Sequence, residues 1–248
     1  MRRTLVALVV MAVLGYPTSA GAGRPYSQAI HSSWQDKRLD ILILPPSHGQ
    51  VVNENGVLGG EGAGELTPFN SYLRAVEDSI TGWNRTVDRY GVRWIRKLNL
   101  KSYVVGRDEV PSDVLQDPEA VIMTNEHQGT AIGLTLSSSL RPECVITNAK
   151  FFVQSFTYED MYSVNSHEVG HCLGLEHLEG PPQDPIPSMD LMWPFYPHQP
   201  GTANVDLQCI SNMNLRAVEL AFAPAFGRVT EKNVVKMGPS QYRKFPCE

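Results

Sequence analysis

The sequence predicts an α/β domain built on a mixed, twisted sheet, and three observations carry that reading. A short apolar run, Asp40-Ile41-Leu42-Ile43-Leu44, stops at Pro45-Pro46 as a buried strand does. A long amphipathic pattern follows, and after it come several short extended stretches separated by loops rich in Pro, Ser, Asp and Gly. A second and a third helical pattern close the chain, so strand, helix, several strands and then helices succeed one another.

Arg2 and Arg3, the apolar run Leu5 to Leu14 and the small residues Ala20-Gly21-Ala22 make a signal peptide over residues 1–22. The adjacent arginines also admit a twin-arginine signal. The apolar run is too short for a membrane span, and no later run approaches one. A secreted, extracellular protein is therefore expected, with residues 23–248 as one domain whose N-terminal part runs to about 178 and whose C-terminal part starts at about 179. The 248-residue chain has a net charge of -5, 42% hydrophobic and 19% charged residues. Such a balance offers no basic field for nucleic acid or an anionic membrane, and a protein or peptide substrate suits it better. A monomer is expected. Cys144, Cys172, Cys209 and Cys247 are even in number in an exported chain, so two disulfides are expected, in any of three pairings.

The glycine-rich stretch from Gly56 to Gly64 lacks the spacing of a phosphate-cradling turn and reads as a loop. The first helix starts at Thr67-Pro68, a cap followed by proline at the first helical position. It places Leu73, Val76, Ile80 and Trp83 on one face and ends near Gly91. The sequon Asn84-Arg85-Thr86 falls inside it. Extended stretches are expected at Val92 to Val105, Ala120 to Thr124, Ala131 to Leu136 and Cys144 to Phe152. The second long helix opens at Thr157, with Asp160 three residues on as its capping partner. The C-terminal helix covers about Ser211 to Phe222.

Residues 167–177 read His-Glu-Val-Gly-His-Cys-Leu-Gly-Leu-Glu-His. Four residues apart on a helix, His167 and His171 share a face and can reach one Zn²⁺. Glu168 stands beside the first of them, where it can act on a water at the metal without displacing it. Were the helix to continue, His177 would lie about 240° round the axis and roughly 9 Å along it from His171, out of reach. Gly174 stands where a left-handed residue ends a helix, and that turn can bring His177 back.

With these residues the chain resembles the metzincin metalloendopeptidases, whose pattern is HExxHxxGxxH followed by a methionine turn. The resemblance implies a metzincin-like single catalytic domain with an active-site helix and a C-terminal helix. It implies one catalytic zinc held by His167, His171 and His177, with Glu168 as general base. Met192, or failing it Met189, would be the methionine beneath the metal. Leu191-Met192-Trp193-Pro194-Phe195-Tyr196 looks like the matrixin version of the turn, which makes Pro194 and Tyr196 a wall of the substrate pocket. Leu178 follows the third histidine where matrixins tend to have Ser, adamalysins Asp, astacins Glu and serralysins Pro, so the subfamily is left open. Calcium is left open too.

No cysteine-bearing propeptide motif precedes the first strand, and a long inhibitory prodomain is not expected. Asp36 or His31 would be the residues to block the metal from a short segment, although both read first as solvated loop residues. His48, His127 and His198 have no partner at ligand spacing. The expectation is a secreted zinc-dependent endopeptidase. Its rival is a secreted zinc-binding or adhesive module without catalysis, which would have no use for Glu168.

Overall fold

A computed structural model describes residues 25–30, 38–44, 67–93, 95–96, 98–123, 134–137, 144–147, 157–180, 190–194, 207–223 and 234–247. The signal-peptide reading, His31, Asp36, His48, the glycine-rich stretch, His127, Met189, Tyr196 and His198 lie outside them. Among the described residues the chain is an α/β structure with two sheets.

The larger sheet contains β2 (Arg38–Leu44), β3 (Asn99–Val104), β4 (Ala120–Met123), β5 (Leu134–Ser137) and β6 (Cys144–Thr147) in the order β3-β2-β4-β6-β5. The first four in that order run parallel, and β5 pairs antiparallel with β6 at the edge. A strand flanked on both sides and covered on both faces should be apolar throughout rather than alternating. From Ile41 to Leu44 β2 is: Ile41 and Ile43, with Leu39 before them, enter the main core, whereas Leu42 joins Tyr103 and Val114 in a smaller cluster. Val114 belongs to α2 (Ser112–Gln116).

Helix α1 (Thr67–Tyr90) buries the face that the sequence predicts, Leu73, Val76, Ile80 and Trp83. Its sequon serves packing. The Asn84 side-chain amide donates to the Leu100 carbonyl at 2.7 Å and its oxygen accepts from the Leu100 amide at 2.9 Å, while Thr86 is buried. The extended stretch expected from Val92 starts late. Ile95 and Arg96 both donate to the Val92 carbonyl, making a turn that brings Ile95 inward, and β3 begins only at Asn99.

Helix α3 (Tyr158–Cys172) opens with the expected capping box, the Thr157 side chain accepting from the Asp160 amide and Asp160 accepting from the Thr157 amide. Eleven of its residues are buried, from Asp160 to Cys172, so it is sealed nearly all round and shows little amphipathic pattern. One wall is α1, where Trp83 Nε1 donates to the Ser166 carbonyl at 2.9 Å. The other is the sheet, to which Cys144–Cys172 ties the last residue of α3.

The smaller, antiparallel sheet has the order β7-β1-β8, with β1 at Tyr26–Ile30, β7 at Leu175–Glu179 and β8 at Val234–Met237. None of these three strands is marked by a pattern in the sequence. Each is short, and β7 is mostly polar, so its strand state comes from pairing with β1 rather than from its own pattern. Helix α4 (Asn212–Ala221) is capped by Ser211 and Asn214 and ends at Phe222, as predicted. Cys209–Cys247 anchors the C-terminal tail, so the second disulfide joins the segment before α4 to the chain end.

Candidate metal centre

The site is built where α3 ends and β7 begins. Leu173 closes the helix by donating to the Val169 carbonyl, and Gly174 takes φ 92°, the left-handed conformation that glycine adopts without a Cβ clash. The chain reverses into β7, and His177 returns toward the helix it has just left. The predicted helix break is therefore the element that completes the cluster.

His167 Nε2 and His171 Nε2 come within 3.1 Å, and His171 Nε2 and His177 Nε2 within 3.2 Å. Among the described residues, these three form the one group of His, Cys, Asp or Glu side chains whose ligand atoms converge closely enough to hold a metal. The opposite ring nitrogens decide the tautomers. His167 Nδ1 donates to the Leu191 carbonyl at 2.6 Å and His171 Nδ1 donates to the Leu175 carbonyl at 2.7 Å. A carbonyl can only accept, so Nδ1 carries a proton in both rings, and in the neutral form of each ring Nε2 then presents a lone pair. Two lone pairs at 3.1 Å repel unless a cation lies against both. Three nitrogens about 2.05 Å from a tetrahedral ion would stand about 3.3 Å apart, close to the observed spacing. The residues fit a zinc-sized cation.

Burial favours the neutral rings. It pushes His167 down to about 3, helped by the neighbouring His177 and opposed by the hydrogen bond to Leu191. His177, the most exposed of the three, is also lowered by desolvation. Neutral imidazole is the ligand form, so the fold prepares the donors before any ion arrives.

Glu168 is buried beside the cluster, and its carboxylate accepts a hydrogen bond from the Thr135 hydroxyl on the edge strand β5. Burial pushes its carboxyl up to about 7, with the Thr135 hydrogen bond pulling the other way. A carboxyl poised near neutrality can both take and return a proton. Thr135 is a residue that sequence reading misses, since it lies 33 residues from Glu168 and only the sheet brings them together.

Met192 is fully buried, and a Cβ placed on Gly170 would overlap its sulfur. The methionine thus packs against the helix turn between His167 and His171. Its turn also braces the ligands. The Leu191 carbonyl accepts from His167, and the Met192 carbonyl accepts from the Leu178 amide, one residue past His177, at 2.8 Å. Pro194 is exposed at the end of this turn.

Compared with models of known protein families and with curated proteins, the chain matches none. The case for its chemistry therefore stands on the geometry of the site. Two disulfides fit an oxidising, extracellular environment. Among the described residues no helix is long and apolar enough to cross a membrane.

Proposed function

We propose that the chain is a secreted zinc-dependent endopeptidase of the metzincin type. The observation that carries the reading is the convergence of three imidazoles, with a buried carboxyl, Glu168, next in sequence to the first of them. Three protein ligands leave one position of a tetrahedral site free, as in catalytic sites, whereas structural sites are usually closed by four. His167, His171 and His177 would hold the ion. Zinc so held supplies a water whose pKa falls to about 7 and a positive charge against a carbonyl oxygen.

The chain's own residues do the rest. Glu168 accepts the proton of the attacking water and delivers it to the departing amine. Thr135 holds one oxygen of that carboxylate, which keeps it aimed and leaves the other oxygen for the water. The strand β5 is at the sheet edge, where an extended peptide can add by backbone pairing. Pro194 and Tyr196 are proposed as the wall of an apolar pocket for the residue after the scissile bond.

Glu168→Ala tests the reading. The purified protein is incubated with casein, with and without a chelator, and its zinc is measured. Zinc content and folding are expected to stay near those of the unmutated chain. Hydrolysis should fall by about 10²- to 10⁴-fold or more, the usual worth of a positioned general base. A loss under about tenfold counts against the mechanism. An unmutated chain that holds zinc and hydrolyses nothing across broad substrates would be a binding module.

A further inference from the structure

Asp190 is a fully buried carboxylate that the proposed chemistry does not use. Charged groups are almost never fully buried unless they are paired or saturated with hydrogen bonds. Among the described residues its hydrogen-bond partners include no cation. Its Oδ1 accepts from the Met192 amide at 2.8 Å and from Asn214 Nδ2 at 3.0 Å, and its Oδ2 accepts from the Tyr242 hydroxyl at 2.7 Å. The Ser211 side chain adds a further bond. These donors come from three places far apart in sequence: the methionine turn, the start of α4 and the C-terminal tail that Cys209–Cys247 ties down.

What the carboxylate holds still is the turn that braces the ligands. The Asp190 carbonyl closes it by accepting from Trp193, and the Met192 amide is bound to the Asp190 side chain. The two carbonyls between them point at His167 and at the strand residue after His177. A shift of this turn would move the Leu191 carbonyl, and with it the tautomer and orientation of His167. Partners of a ligating histidine's second nitrogen orient the ring, and losing them costs about 10- to 100-fold in metal affinity.

We infer that Asp190, anchored by Asn214 and by Tyr242 of the C-terminal tail, is a positioning residue for the metal centre. It acts on His167 and His177 through the backbone of residues 191 and 192. The inference rests on the metal-binding reading above. One consequence is that the far C-terminus belongs to the site, although no described residue of it touches the histidines.

The experiment measures zinc affinity of the full chain by competition with a chromogenic chelator, together with the visible spectrum of the Co²⁺-loaded protein and the melting temperature of the metal-free form. Asp190→Ala should weaken zinc binding by about 10- to 100-fold and change the Co²⁺ spectrum. Asp190→Asn should restore most of the affinity, because its amide oxygen still accepts from Met192 and Asn214 while the hydroxyls of Tyr242 and Ser211 can turn to accept from its nitrogen. Tyr242→Phe should give a smaller loss in the same direction. As a control, Asn84→Ala removes the paired bonds to Leu100 between α1 and β3. It should lower the melting temperature and leave zinc affinity unchanged.

A folded Asp190→Ala variant that binds zinc as tightly as the unmutated chain overturns the inference alone. So does an Asn84→Ala variant that loses zinc equally, since the effect would then be general destabilisation. If Asp190→Ala does not fold, unchanged affinity and spectrum in Tyr242→Phe overturn it. An unmutated chain that binds no zinc removes the metal reading first, and this inference with it.

Discussion

Gly170→Ala is the sharpest test of the packing under the site, because the usual rule for that substitution predicts the opposite sign. Within a helix, alanine is favoured over glycine by about 1 kcal/mol. At position 170, however, a Cβ would overlap Met192 Sδ and stand 3.2 Å from Met192 Cε and 3.2 Å from Trp83 Cζ2. Neither neighbour can give way freely. Met192 and Trp83 are both fully buried, the first held through its amide by Asp190 and the second through Nε1 by the Ser166 carbonyl.

Inserting a methyl into a packed core costs about 1–3 kcal/mol, and because the displaced thioether is itself fully buried this case is put at about 2–3 kcal/mol. Set against the helix gain, the net destabilisation is about 1–2 kcal/mol. For a chain of this size that lowers the melting temperature by about 2–8 °C. The assay is thermal unfolding of the metal-free protein in chelator, so that metal binding does not shift the midpoint. A double-mutant cycle with Met192→Ala sharpens it. Removing the thioether opens space for the methyl that Gly170→Ala introduces, so the two changes should offset one another by about 1–2 kcal/mol. A Gly170→Ala variant as stable as the unmutated chain, or a strictly additive cycle, would refute the close approach of Met192 to the helix.

His177→Ala should reduce bound zinc from one ion per chain to near zero, as measured by metal analysis after gel filtration, and full occupancy would reject His177 as a ligand. Thiol titration of the denatured, unreduced protein should find no free thiol, whereas a titre near two would defeat one of the pairings and a titre near four both. Separations of 28 and 38 residues correspond to about 3.5–4 kcal/mol per bridge in the chain-entropy model, so reduction should lower stability markedly in denaturant titrations. Asp108 is held below the usual carboxylate range by the Arg107 side chain and by the Val104 amide. A depressed pKa stabilises the fold above the unfolded value and is lost as pH falls through the folded one. Asp108→Asn should therefore cost up to about 1 kcal/mol at pH 7 and nothing below the carboxylate range, because the site is partly solvated. A cost independent of pH would contradict that assignment.

Local signals explain why the helices and the ligand set could be read directly. Thr157 with Asp160 and Ser211 with Asn214 satisfy their helix ends within four residues. The spacing of His167 and His171 is a property of one helix turn, and the glycine at 174 is needed wherever the chain must take a positive φ. The strands were less legible. β2 shows itself because it is buried on both faces, whereas β1, β7 and β8 carry no strong pattern and become strands only by pairing with segments about 150 to 210 residues away. The turn in which Ile95 and Arg96 donate to Val92, inside what reads as one extended run, arises because Ile95 has a place in the core.

The sequence by itself determined the cluster: three histidines at spacings that a helix and one left-handed glycine bring together, with a glutamate next to the first. It also led to the expectation that four cysteines would pair, from their even number and the signal-like N-terminal pattern. Only the tertiary structure decided which cysteines meet, that Thr135 holds Glu168, and that Gly170 must lack a side chain because Met192 fills its space. It alone shows that Asp190 draws the methionine turn, the last helix and the tail together. The physical reason is range. Capping, helix spacing and backbone chirality act within a few residues and leave their mark on sequence, whereas a hydrogen bond between residues 33 or 52 positions apart exists only after the sheets and helices have closed around it.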